Sequence, residues 1–129
     1  ILDRQRKIPV NSAVFSPDVK TIVLTGMNGS DSGDRSHELP GIIFREIDFS
    51  RDIGRQICKV LFTEEIQSVI IEGGSKTLQT FIDEDLWDEA RIFTGKETVE
   101  TGIKAPEFSG KFESEEKIAS DTLKIYSND

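Results

Sequence analysis

The residues best placed to do chemistry are Glu72-Gly73-Gly74-Ser75-Lys76-Thr77. They follow the apolar run Val69-Ile70-Ile71 and precede Leu78, Phe81 and Ile82, which recur at helical spacing. The order is strand, carboxylate, two glycines, helix. Glycines at such a turn let a ligand come close to the backbone. The first N–H groups of a helix lack intrahelical acceptors and point at an anion. Ser75 and Thr77 add hydroxyls and Lys76 adds positive charge, so the chemistry is that of a phosphate or pyrophosphate cradle. In an open sheet, ligands gather at the carboxyl end of a central strand. The spacing is neither the three-glycine dinucleotide fingerprint nor a P-loop. A Gly-Gly turn also serves close packing alone, and Glu72 can equally cap a helix or pair with a lysine. Spacing leaves these readings open.

The remaining elements must position that turn. Ser68–Glu72 reads as a strand covered on both faces, because three apolar residues run together. The helix after the glycines spans about Ser75 to Asp83. Upstream, Lys20–Thr25 and Ile42–Asp48 read as strands. Between them, Met27–Gly41 is rich in Gly, Ser, Asp and Pro and reads as a loop containing the one histidine, His37. Ile53, Ile57, Val60 and Leu61 form one apolar helical stripe, with Ser50 as its cap and Asp52 at its positive end. Downstream, Ala90–Thr94 is a strand, and Lys111–Ile118 with Thr122–Tyr126 forms an antiparallel pair around Ala119-Ser120-Asp121. Ile1-Leu2-Asp3 reads as the end of a strand. The fold class is α/β, a three-layer sandwich with a mixed, mainly parallel sheet closed by a C-terminal antiparallel hairpin.

Composition narrows the function classes. The 129 residues suit one domain, residues 1–129. A net charge of −8 argues against nucleic acid or an anionic membrane surface as partner. No apolar run approaches the length of a membrane span. The single cysteine, Cys58, suits a reducing compartment, the cytoplasm. One His and one Cys exclude the usual zinc site. The alternating Lys111–Tyr126 hairpin leaves an edge that proteins cover, either within a monomer or against a second copy; the resemblance given next implies a homodimer.

The block from Val69 to Leu78, with Phe81-Ile82 and then Leu86-Trp87-Asp88-Glu89-Ala90-Arg91-Ile92-Phe93, resembles the reductase domain of the bifunctional riboflavin-biosynthesis deaminase/reductase. Leu2-Asp3-Arg4, followed by Arg6 and Ile8-Pro9, is similar to that family's Leu-Asp-Arg segment. The resemblance covers nearly the whole chain. It implies a dihydrofolate-reductase-like fold and NADPH-dependent reduction of 5-amino-6-(5-phosphoribosylamino)uracil to the ribitylamino product. It implies that Glu72 contacts that small-molecule substrate. It implies that Gly73, Gly74, Ser75, Lys76, Thr77 and Leu78 hold NADPH, with Arg4 near the cofactor. A cis peptide is expected at Gly73–Gly74. The family's reductase domain begins before Leu-Asp-Arg, so the resemblance implies a C-terminal fragment of a larger protein that is inactive alone. Thr94-Gly95-Lys96 departs from the family's Ala-Pro-Lys. A non-catalytic nucleotide-binding or regulatory module of the same fold, and an NADPH-dependent pterin reductase, are the competing readings.

Overall fold

The computed structural model describes residues 1–27, 41–98 and 101–129. The Met27–Gly41 loop and His37 therefore lie almost wholly outside the described residues. The chain forms two compact units, Ile1–Ser68 and Val69–Asp129. Each is taken by itself.

In the first unit, β1 (Thr21–Gly26) pairs in parallel with β2 (Ile42–Ile47), Val23 opposite Phe44 and Thr25 opposite Glu46. β-branched and apolar residues dominate both, as a pleated, covered surface favours. On its other side β1 meets the start of the chain, with an isolated parallel bridge between Leu2 and Leu24. The Ile1 amino group donates to the Ile22 carbonyl (2.8 Å), Leu24 N–H to Ile1 (2.8 Å) and Asp3 N–H to Leu24 (2.9 Å). Ile1–Asp3 thus ends in the ladder expected of it. Strand alternation puts Val23, Ile42 and Phe44 on one face, where Phe15, from the short 3-10 helix Ala13–Phe15, and Ile8 pack on them.

Helix α1 (Ile53–Thr63) follows β2 and packs against it. Ile57 is buried, while Ile53, Val60 and Leu61 are half-buried, so the stripe faces inward as its spacing requires. The start of α1 differs from the sequence expectation. Asp52 is the cap, in a left-handed conformation and without a side-chain capping bond. Ser50 instead bonds to Asp48, its N–H donating to Oδ1 at 2.9 Å. The Gln56 side chain holds the loop before the helix without capping its N–H groups. Its Nε2 donates to the carbonyls of Asp48 (2.9 Å) and Arg51 (2.6 Å), and its Oε1 accepts from Asp48 N–H (2.8 Å). The amide carries a donor and an acceptor and ties the incoming loop to the first turn, which a serine hydroxyl is too short to do.

At the other end of α1, Glu64 receives Lys20 (3.1 Å) and Arg45. Its pKa lies below the usual glutamate value because the Lys20 hydrogen bond, then Arg45, favours the carboxylate. A lowered folded-state pKa contributes stability above the ordinary value. That contribution fades as pH falls through the lowered one. We expect Glu64→Gln to narrow the stability difference between neutral and acid conditions, read as melting temperature between about pH 3 and 7.

In the second unit, α2 (Ser75–Asp83) is followed by β3 (Glu89–Thr94), β4 (Lys111–Ile118) and β5 (Asp121–Ser127). The sheet order is β3-β5-β4, antiparallel throughout. The hairpin turn is Ala119-Ser120, with Ala119 at φ 55°. Phe81 is the buried residue of α2, with Leu78 and Ile82 half-buried. Parallel and antiparallel ladders, with helices between, make the α/β class.

One element of the sequence reading is corrected. Ser68–Glu72 is in no strand. Val69 is 50% exposed and Ile70 84% exposed. A strand is completed only by the backbone of a ladder partner, and the unit Val69–Asp129, taken by itself, supplies none here. No helix among the described residues is long and apolar enough to cross a membrane.

Candidate cofactor turn at the start of helix α2

The Glu-Gly-Gly turn leads directly into α2, whose cap is Gly74 in an extended conformation (φ −67°, ψ 168°). The Gly74 carbonyl accepts the N–H groups of Thr77 (2.9 Å) and Leu78 (3.2 Å). The N–H groups of Ser75 and Lys76 have no acceptor among the described residues. A glycine cap brings no side-chain oxygen to them, so they remain as open donors at the positive end of the helix. Lys76 is exposed, with no ion pair among the described residues. Leu78 and Thr77 are half-buried.

The two glycines are not equivalent. A Cβ on Gly73 sits 2.6 Å from Thr77 Cβ and 2.9 Å from Thr77 Cγ2. Packing alone therefore demands glycine at 73. A Cβ on Gly74 meets nothing within 4 Å, and its φ is one that any residue adopts. Neither the packing of these residues nor the backbone conformation requires glycine at 74. The space beside it is open to a ligand.

Two expectations are corrected here. Among the described residues there is no cis peptide, so the Gly73–Gly74 bond is trans. A non-prolyl cis bond costs roughly 3 kcal/mol and persists only where surrounding structure over-determines it. The Ser75 hydroxyl also differs from expectation. It donates to the Lys104 carbonyl at 2.8 Å and is committed within the protein. Further along α2, the Gln79 amide clamps Glu107 through Nε2 to the Glu107 carbonyl (3.0 Å) and Glu107 N–H to Oε1 (2.9 Å). Residues 104–107 are thus strapped onto α2, and Lys104 pairs with Glu107. Sequence reasoning missed Gln79 and Lys104. A glutamine on the polar side of a short helix gives no signal that it holds a chain segment 28 residues away.

We expect Ser75→Ala to loosen this strap. Losing one exposed hydrogen bond of about 1 kcal/mol corresponds to roughly five-fold faster local opening. Tryptic cleavage after Lys104, followed by mass spectrometry, checks it.

Glu72 is exposed, and its carboxylate has no donor among the described residues. Arg4 lies in the other unit. Its carbonyl accepts from Gly26 N–H (3.0 Å), and its guanidinium carbon lies 5.9 Å from the Phe49 ring centroid. The neighbouring Asp3 organises this stretch, its carboxylate accepting the N–H groups of Lys7 and Ile8 at 2.9 Å each.

No family model matches the chain, and no curated protein matches it either. Solved structures do. RibD of Acinetobacter baumannii, in two crystal forms, matches 98% of this chain with a TM-score of 0.76 at 18% identity. A pyrimidine reductase-like protein from Corynebacterium diphtheriae matches 98% of it with the same TM-score at 16% identity. The fold is therefore that of RibD and of a pyrimidine reductase-like protein. The chain spans 36% of the length of that RibD and 58% of the length of the other protein.

Proposed function

We propose that the chain is a reductase-type domain that holds NADPH at the Gly74–Leu78 turn. We further propose that it takes part in reducing 5-amino-6-(5-phosphoribosylamino)uracil, an oxidoreductase step of riboflavin biosynthesis. The likeness in fold to RibD and to a pyrimidine reductase-like protein supports the reaction class. The observation that carries the cofactor assignment is the unopposed space beside Gly74. A glycine retained there for no packing or conformational reason of its own suits close approach of a phosphate to the backbone.

The residues present fit a dinucleotide phosphate. The Ser75 and Lys76 N–H groups face it at the helix start, and the Lys76 ammonium adds charge. Thr77 supplies a hydroxyl within the first turn, and Ser75 one after release from Lys104. Gly73 sets the close packing of the turn on α2. Glu72 hydrogen-bonds the substrate. When bound, NADPH supplies the hydride for the ribose carbonyl formed by ring opening. The chain's own residues bind and orient. A reducing, cytoplasmic setting suits the lone Cys58.

Calorimetric titration with NADPH tests this, with Gly74→Val as the paired variant. We expect the parent chain to bind and the variant to lose at least about ten-fold in affinity, or 1.4 kcal/mol. The open Cβ position predicts an unchanged melting temperature. Equal binding by both chains overturns the placement. NADPH binding that Glu72→Gln leaves unaltered, with no substrate bound beside it, favours a non-catalytic module.

A further inference from the structure

The strap along α2 is held firmly at one end and lightly at the other. At Glu107 the Gln79 amide gives and takes a hydrogen bond, at 3.0 and 2.9 Å. The next residue, Phe108, meets the rings of Trp87 and Tyr126 edge-on. A Cβ on Gly110 lies 2.7 Å from Trp87 Cη2, so the chain beyond Glu107 has no slack. Lys104 is different. Among the described residues, one hydrogen bond ties it to α2, from the Ser75 hydroxyl to its carbonyl at 2.8 Å. Its ion pair with Glu107 links two residues of the strap itself and adds no tie to the helix. Pro106, between the two ends, has no N–H to donate. The lightly held end thus hangs on Ser75, whose N–H, with that of Lys76, opens the helix.

We propose that residues 104–106 form a clasp that is shut while the first turn of α2 is empty and released when a phosphate group binds there. A serine hydroxyl carries one proton. Donated to the Lys104 carbonyl, it is withheld from an anion. Donated to an anion, it leaves Lys104 with no tie to the helix. Strap closure and anion binding therefore compete for one proton. Coupling of this kind is reciprocal. The shut clasp lowers affinity for the phosphate, and the bound phosphate opens the clasp, each by about five-fold, the worth of one ordinary hydrogen bond. The free end swings about Glu107, where Gln79 and the aromatic rings hold the chain. This inference rests on the cofactor placement proposed above and adds to it a self-blocking contact that the ligand relieves.

The test combines calorimetric titration with NADPH and tryptic cleavage after Lys104, with cleavage after Lys124 on the central strand β5 as the internal reference. We expect saturating NADPH to speed cleavage after Lys104 about five-fold relative to Lys124. Ser75→Ala removes the contested proton, so cleavage is fast from the outset and NADPH no longer changes it. Ser75→Thr keeps a hydroxyl and keeps the response. Gln79→Ala frees the strap at Glu107 and leaves the proposed phosphate donors in place. It should bind NADPH more tightly than the parent, by up to about five-fold, the whole of the coupling. NADPH that binds but leaves cleavage unchanged, or slows it, overturns the clasp and spares the cofactor placement. A Ser75→Ala chain that still responds overturns the clasp too. No binding of NADPH by either the parent or the Gln79→Ala chain removes the clasp and the cofactor placement together.

Discussion

Gly73→Ala is expected to destabilise the Val69–Asp129 unit by about 2 kcal/mol, the usual scale for overpacking a fitted site. Gly74→Ala is expected to leave it within a few tenths of a kcal/mol of the parent. The added Cβ at 73 meets the Cβ of Thr77 at 2.6 Å, an atom fixed to the helix backbone. Thr77→Ala therefore gives no relief, because the closest atom stays in place. Only a shift of the first turn of α2 makes room. At Gly74 the new methyl enters open space. Alanine is a poorer cap than glycine by roughly 0.5–1 kcal/mol, but it restricts the unfolded chain by a similar amount, and the two effects nearly cancel. Urea unfolding followed by the fluorescence of Trp87, the one tryptophan of the chain, measures both variants. Equal loss at the two positions shows that Gly74 is also structural, and removes the reason for placing a ligand beside it.

Gly110→Val should produce a larger loss in the same unit, about 3 kcal/mol, at the top of the overpacking range. A Cβ at 110 lies 2.7 Å from Trp87 Cη2 and 2.8 Å from the Ser127 carbonyl oxygen. The first neighbour belongs to an aromatic chain. Trp87 meets Phe108 edge-on at 5.6 Å, Phe108 meets Tyr126 at 5.2 Å, and Tyr126 meets Phe112 at 5.7 Å between centroids. Edge-to-face pairs of this kind add about 0.5–1.5 kcal/mol each beyond area burial. The second neighbour is backbone of β5, the central strand of the sheet, and cannot rotate away. Valine thus displaces either the Trp87 ring or the entry into β4. A blue- or red-shifted Trp87 emission maximum should accompany the lower urea midpoint. An unchanged midpoint and spectrum would mean that residues 108–110 yield without resistance.

Much of this molecule is legible one segment at a time. The hairpin of β4 and β5 follows from two alternating stretches around a short polar turn, and both its strands form as read. Helix α2 begins at Ser75 because a glycine pair ends the extended chain and a 3.6-residue apolar period begins. Ile57 and its neighbours on α1 turn inward for the same reason. These features depend on local periodicity, which the order of residues contains. The sequence also marks the Glu72–Leu78 turn, where the Ser75 and Lys76 N–H groups have no acceptor among the described residues, and this is the turn proposed to hold an anion. Partnership over distance is what the tertiary structure decided. Val69-Ile70-Ile71 has every local property of a strand, yet strand formation is completed only by a neighbour's backbone, and its own unit provides none. Gly73 and Gly74 look alike in sequence. They separate only because the Thr77 side chain leans over one and not the other. The Ser75 hydroxyl is claimed by Lys104 and the start of α1 by Gln56 rather than Ser50, because hydrogen bonds go to whichever group the folded chain brings within reach.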